Sequence, residues 1–82
     1  MEKLGEVSHY FTNISVAVVE LTDDLKIGDR IAIRGMTTSF EQTVGSMQIE
    51  HEDVKEAKRG DSVGLKVDER VREGDIVYKI VG

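Results

Sequence analysis

The 82-residue chain has no cysteine, no proline and no tryptophan, and only four aromatic residues. Without cysteine there is neither a disulfide to staple the fold nor a thiolate to hold a metal. Without proline no turn is preset by a fixed φ, so glycine and the short polar residues must make the corners. The longest apolar run, Val16 to Val19, is far too short to cross a bilayer. The N-terminal Met1-Glu2-Lys3-Leu4-Gly5-Glu6 has neither the basic start nor the apolar centre of a secretory signal, so a cytoplasmic protein is expected. A chain of this length is read as one domain, residues 1–82. Its hydrophobic fraction of 39% and charged fraction of 33% suit a globular fold. The net charge of −5 disfavours a general nucleic-acid binder, which would carry a basic face.

What the chain does have is a recurring corner. Gly28-Asp29, Gly60-Asp61 and Gly74-Asp75 sit in three related stretches: Leu25 to Ile31, Ala57 to Val63 and Val71 to Val77. Each reads apolar, basic, any, Gly, Asp, any, apolar. With eight Gly in 82 residues, fewer than one Gly-Asp pair is expected by chance. Glycine accepts the positive φ of a tight turn, and aspartate can bind nearby backbone N–H groups. The three are therefore expected to be equivalent turns, each delivering its Asp to the start of a strand. Arg59-Gly60-Asp61, the letters of an integrin-binding tripeptide, is read as the second of these corners.

The remaining segments alternate with period two, as strands do. Strands are expected over Gly5 to Phe11, Ile14 to Leu21, Arg30 to Arg34, Phe40 to Glu50, Ser62 to Val67 and Ile76 to Val81. In the fourth, Phe40, Gln42 and Val44 share one parity while Met47 and Ile49 take the other, which predicts a bulge near Gly45-Ser46. Asp53 to Arg59 has a capping-box spacing (Asp53, Glu56) and basic residues before Gly60, which predicts one short helical turn near 53–59. The expected fold is all-β: a small closed or nearly closed six- to seven-stranded antiparallel β-barrel.

Catalytic signatures are missing: no phosphate-binding GxxxxGK[ST] loop, no HExxH and no GxSxG. Neither a catalytic residue nor a metal site nor a cofactor is expected, and the chain is read as non-enzymatic. Glu50-His51-Glu52-Asp53 contains metal-ligating residue types, but neighbours in an extended strand point to opposite faces and do not converge. Two surfaces are candidates for interaction. Ile14 to Leu21 is apolar on both faces, so Ala17, Val19 and Leu21 are one candidate docking stripe, for a protein partner or a second copy. Lys55, Lys58, Arg59, Arg70 and Arg72 form a basic set that could meet RNA if the last two corners lie together, although Glu56, Asp68, Glu69 and Glu73 dilute it.

Residues 44–79 resemble the second domain of translational GTPases of the elongation factor Tu and elongation factor 1-alpha type. The resemblance rests on Ser46 to Ile49, Ala57, Gly60-Asp61-Ser62-Val63-Gly64 and Arg72-Glu73-Gly74-Asp75-Ile76. Upstream, residues 5–33 are similar to that domain's first half, a Gly-x-Val strand leading to a Lys-Ile-Gly-Asp corner. The resemblance implies a translation-factor domain 2 barrel, here a module without the GTPase domain, whose motifs are absent from these residues. A binding role in a translation-related context follows, with tRNA-end binding as an alternative. The same barrel also occurs as the accessory C-terminal domain of U32 peptidases, which implies a third reading: an accessory unit of such an enzyme.

Overall fold

The computed structural model describes residues 1–81. Among them there is no helix; the chain forms ten strands. They are β1 (Glu2–Phe11), β2 (Val16–Leu21), β3 (Leu25–Lys26), β4 (Arg30–Arg34), β5 (Ser39–Thr43), β6 (Met47–Ile49), β7 (Glu52–Val54), β8 (Glu56–Ala57), β9 (Ser62–Lys66) and β10 (Ile76–Lys79). Eight make one antiparallel sheet in the order β5-β4-β10-β1-β2-β9-β6-β7, and β3 pairs with β8 as a separate ribbon.

The expectation of an all-β chain holds, but the sheet is an open half-barrel and not a closed six- to seven-stranded barrel. Its edges, β5 and β7, are not laddered to each other. The gap beside β5 is spanned by a side chain. Gln42, 4% exposed, donates Nε2 to the Lys66 carbonyl at 2.9 Å and accepts the Asp68 N–H on Oε1 at 2.8 Å. A buried amide with both ends bonded to main chain substitutes for a ladder that the backbone does not make.

The helical turn expected near 53–59 is replaced by β7 and β8. Met47, Gln48 and Ile49 pair with Val54, Asp53 and Glu52, and Leu25 and Lys26 pair with Ala57 and Glu56. One helical turn fixes several residues for a single hydrogen bond, whereas these ladders satisfy the same backbone groups in an extended chain. The Ile27 N–H bonds the Lys55 carbonyl at 2.9 Å, extending the ribbon past its ladder. The expected bulge at Gly45-Ser46 is instead a break: β5 ends at Thr43 and β6 begins at Met47. The sheet's irregularities lie in β1, between Lys3 and Gly5 and between Val7 and His9.

The concave side of the sheet is filled by one apolar cluster that includes Leu4, Val7, Val19, Leu25, Ile31, Ile33, Met47, Leu65, Val71 and Val77. Ala17, Val19 and Leu21 belong to it, at 0%, 0% and 4% exposure. They are core, and the docking stripe expected on them does not exist. Their parity faces inward, and Val16, Val18 and Glu20 take the outer face.

The three corners share one construction. Gly28, Gly60 and Gly74 have φ of 93°, 93° and 92°. Asp29, Asp61 and Asp75 each donate their N–H to the carbonyl three residues back, on Lys26, Lys58 and Arg72, at 3.0 to 3.1 Å. Each Asp carboxylate accepts the N–H of that same residue, at 3.0, 2.8 and 2.9 Å. A positive φ confined to the third position makes these type II turns bracketed by the Asp side chain. The Gly N–H and Asp carbonyl then clamp a buried residue across the turn: Val44, Leu21 and Val7, at 2.8 to 2.9 Å.

Open space surrounds the Gly60 Cα, so backbone strain alone sets the effect of a side chain there. Gly60→Ala is expected to cost about 1 kcal/mol, the penalty of a left-handed backbone, read as a lower urea midpoint at unchanged slope. Arg59→Ala, at the unconstrained second position of the same turn, should leave the midpoint where it is. Equal effects at the two positions would contradict the strained-glycine account.

Candidate functional site

The basic residues lie on two separate segments of the chain, 55–59 and 70–72. Lys58 Nζ lies 4.0 Å from Asp24 and 3.9 Å from Glu56, and the Arg59 N–H donates to Asp24 at 3.0 Å. Lys55 lies between β7 and β8, while Arg70 and Arg72 lie in the segment leading into the third corner, which packs on Val7.

The outer face of the sheet carries the more coherent feature. Residues directly opposite one another in a ladder project from the same face, so the register reads the surface off in rows. One row runs His9, Val18, Gly64, Gln48, Asp53; the next holds Phe11, Val16 and Lys66; the third holds Glu6, Glu20 and Ser62. Phe11 is 43% exposed and Ile14, in the β1–β2 turn, is 51% exposed, while Val16 and Val18 are half-buried. Together they form an apolar strip on the convex surface.

A groove of about 330 Å³ follows this strip and is lined by Phe11, Ile14, Val16, Val18, Gly64 and the β6–β7 hairpin tip. Gly64 is its floor: a Cβ there would stand 3.3 Å from Val16 Cγ1 and narrow the groove at its centre. Its lip is the two-residue turn Glu50-His51, with φ of 52° and 67°. Both central residues of such a hairpin turn need positive φ, which Asn-Gly supplies easily and Glu-His does not.

The rim is held by hydrogen bonds. Glu20 accepts the Ser62 hydroxyl at 2.5 Å and the Ser8 hydroxyl at 3.1 Å, which orients both carboxylate oxygens beside the groove. Lys66 directs Nζ to the Ile14 carbonyl at 2.9 Å, bracing the turn that carries Ile14. His9 stacks edge-on against Phe11, with ring centroids 4.4 Å apart, and its Nδ1 lies 3.4 Å from Glu73.

Ala17, Val19 and Leu21 take the buried face of β2, and the apolar residues left outside the core lie on its other face. The signal that separates the faces was present: Glu20 shares parity with Val16 and Val18, and a carboxylate marks the solvent side. A second depression, lined by Asp24, Lys26, Asp29, Glu56, Lys58 and Lys79, is a mixed-charge surface. In it Lys79 Nζ sits 3.6 Å from the nearly buried Asp29 carboxylate.

The half-barrel has solved counterparts. The C-terminal domain of a U32 peptidase from Geobacillus thermoleovorans superposes with a TM-score of 0.91, covering 98% of this chain and 93% of that one at 20% identity. The selenomethionine form of that domain superposes with a TM-score of 0.91, over 96% of this chain and all of that one, at 21% identity. At such identity the likeness is one of fold. In sequence, the chain is 52% identical over 77 residues to an uncharacterized protease of Methanocaldococcus jannaschii, covering 93% of this chain and 19% of that protein. It is 35% identical over 78 residues to a collagenase of Porphyromonas gingivalis, covering 93% of this chain and 22% of that protein. The chain thus spans about a fifth of the length of the curated relatives it matches. No protein-family model matches it.

Proposed function

We infer that this chain is a non-catalytic accessory module of the U32-peptidase type, a half-barrel that docks onto peptidase machinery. The observation that carries this reading is the pairing of 52% identity across nearly all of this chain with only 19% coverage of the protease it matches. The matching segment makes up about a fifth of that protease. The likeness to an isolated C-terminal domain of a U32 peptidase supports the same division. The apolar strip on its convex face supplies a surface for such docking. The translation-related context implied by the elongation-factor resemblance finds no support among the relatives named above, which are proteases.

The test is to mix the purified chain with the M. jannaschii protease lacking its matching segment, and to follow both complex formation and cleavage of fluorogenic gelatin. The chain alone should cleave nothing. Added to the truncated protease it should form a complex and raise its cleavage rate or its affinity for gelatin. Turnover by the chain alone overturns the non-catalytic reading, and absence of any complex overturns the accessory one.

A further inference from the structure

The groove over β1, β2, β9 and β6 is ringed by carboxylates that the rest of the molecule leaves unneutralised. Glu6 and Glu20 form the row beside Val18, Asp53 ends the Val18 row opposite His9, and Glu50 stands on the lip. None of the four has a cation within ion-pair distance among the described residues. Elsewhere, lysine or arginine approaches Asp24, Asp29, Glu41 and Glu56, and Glu73 meets the imidazole of His9. The lysine on the face, Lys66, has its ammonium on the Ile14 carbonyl. The surface is therefore apolar along its centre, and four carboxylates outnumber the one lysine, Lys66, around it.

We propose that this groove binds an extended peptide segment that inserts one bulky apolar side chain over Gly64 while flanking basic residues meet Glu6, Glu20, Glu50 and Asp53. The proposal deepens the accessory reading by naming the chemistry that the module recognises on its partner. Size and charge select this occupant. The groove, about 330 Å³ and floored by a residue without a side chain, fits one large side chain rather than a folded surface. A second copy would set the same anionic rim against itself across a two-fold axis, and nucleic-acid phosphates would meet that rim as like charges. A basic peptide gains on both counts: its cations are steered by the rim, and its apolar side chain leaves water at Phe11, Ile14, Val16 and Val18.

Three capped heptapeptides test this on the isotope-labelled 82-residue chain by amide chemical-shift mapping. One has a central phenylalanine between paired basic residues, one has the same centre between paired acidic residues, and one has basic flanks around alanine. The first should shift amides of Val16, Val18, Gly64 and Gln48, and should bind at least about tenfold more tightly than either control, with affinity falling as salt rises. Val18→Lys and Gly64→Val, which put a charge into the groove and fill its floor, should each weaken it at least about tenfold while keeping a dispersed, folded spectrum. The proposal is overturned by equal binding of the acidic-flanked peptide, by shifts on another face, by silence of all three peptides, or by undiminished binding to both variants. Concentration-dependent broadening at the groove without peptide assigns it to a second copy and also overturns it. A complex with the truncated protease that Val18→Lys leaves intact removes the groove proposal and keeps the accessory reading. Peptide binding in the groove with no protease complex does the reverse.

Discussion

Gly5→Ala is expected to lower the unfolding free energy by about 3 kcal/mol, a large share of the ~4–12 kcal/mol that a domain of this size has. A Cβ on Gly5 would stand 2.5 Å from the Glu20 carbonyl oxygen and 2.8 Å from Val19 Cγ1. The first of these is main chain in the paired strand and the second is core, so neither can rotate aside. Gly5 lies where the β1–β10 register shifts while β1 still pairs with β2, opposite Leu21. Relief therefore means separating β1 from β2 at the centre of the sheet. The control is Gly45→Ala: nothing lies within 4 Å of that Cβ and its φ is not positive. It should be neutral or stabilising by a few tenths of a kcal/mol through lost unfolded-state entropy. Urea midpoints at constant slope measure both, and a Gly5→Ala loss as small as that of Gly45→Ala would mean that the strands part easily at this point.

Gln42→Leu is expected to cost about 3 kcal/mol although it preserves most of the side-chain volume. The substitution leaves the Lys66 carbonyl and the Asp68 N–H without the partner that bonds them at 2.9 and 2.8 Å. Each backbone group left unsatisfied in a buried setting costs about 1–3 kcal/mol. Hydrogen exchange separates this account from simple packing loss. Protection should fall first at Asp68 and along β5 and β9, with β1 and β2 changed only by the global loss. Uniform loss of protection across the sheet would show that Gln42 does not stitch the opening.

How much of this was legible in the sequence depends on how local the determining forces are. The corners were readable because each is closed by its own residues: a glycine for positive φ and an aspartate three residues after the N–H it accepts. The strand segments were readable from period-two alternation. The turn at 53–59 was misread because Asp53 and Glu56 carry a local helix signal, while the hairpin partner Met47, across a Glu50-His51 turn that lacks the usual glycine, and Leu25, far away in sequence, supply the ladders that prevail. The open edge was invisible, since nothing about Gln42 in isolation says that its amide will span to residues 66 and 68. The groove was half legible. Ile14, Val16 and Val18 were visible as an apolar parity, but their position outside the core depends on which side of β2 the other strands cover. Gly64 as a floor follows only from the β2–β9–β6 register.

The corners bear on how far sequences can diverge while this architecture persists. Each turn places its binding demands on a glycine and the aspartate beside it, while Ile27, Arg59 and Glu73 occupy the same exposed position with unrelated chemistry. The residue clamped by each corner is recognised through its main chain, which every amino acid but proline provides in full. A scaffold whose bends are specified so sparsely can exchange most of its surface under mutation without losing its path. A TM-score of 0.91 at 20% identity is what such tolerance leaves behind.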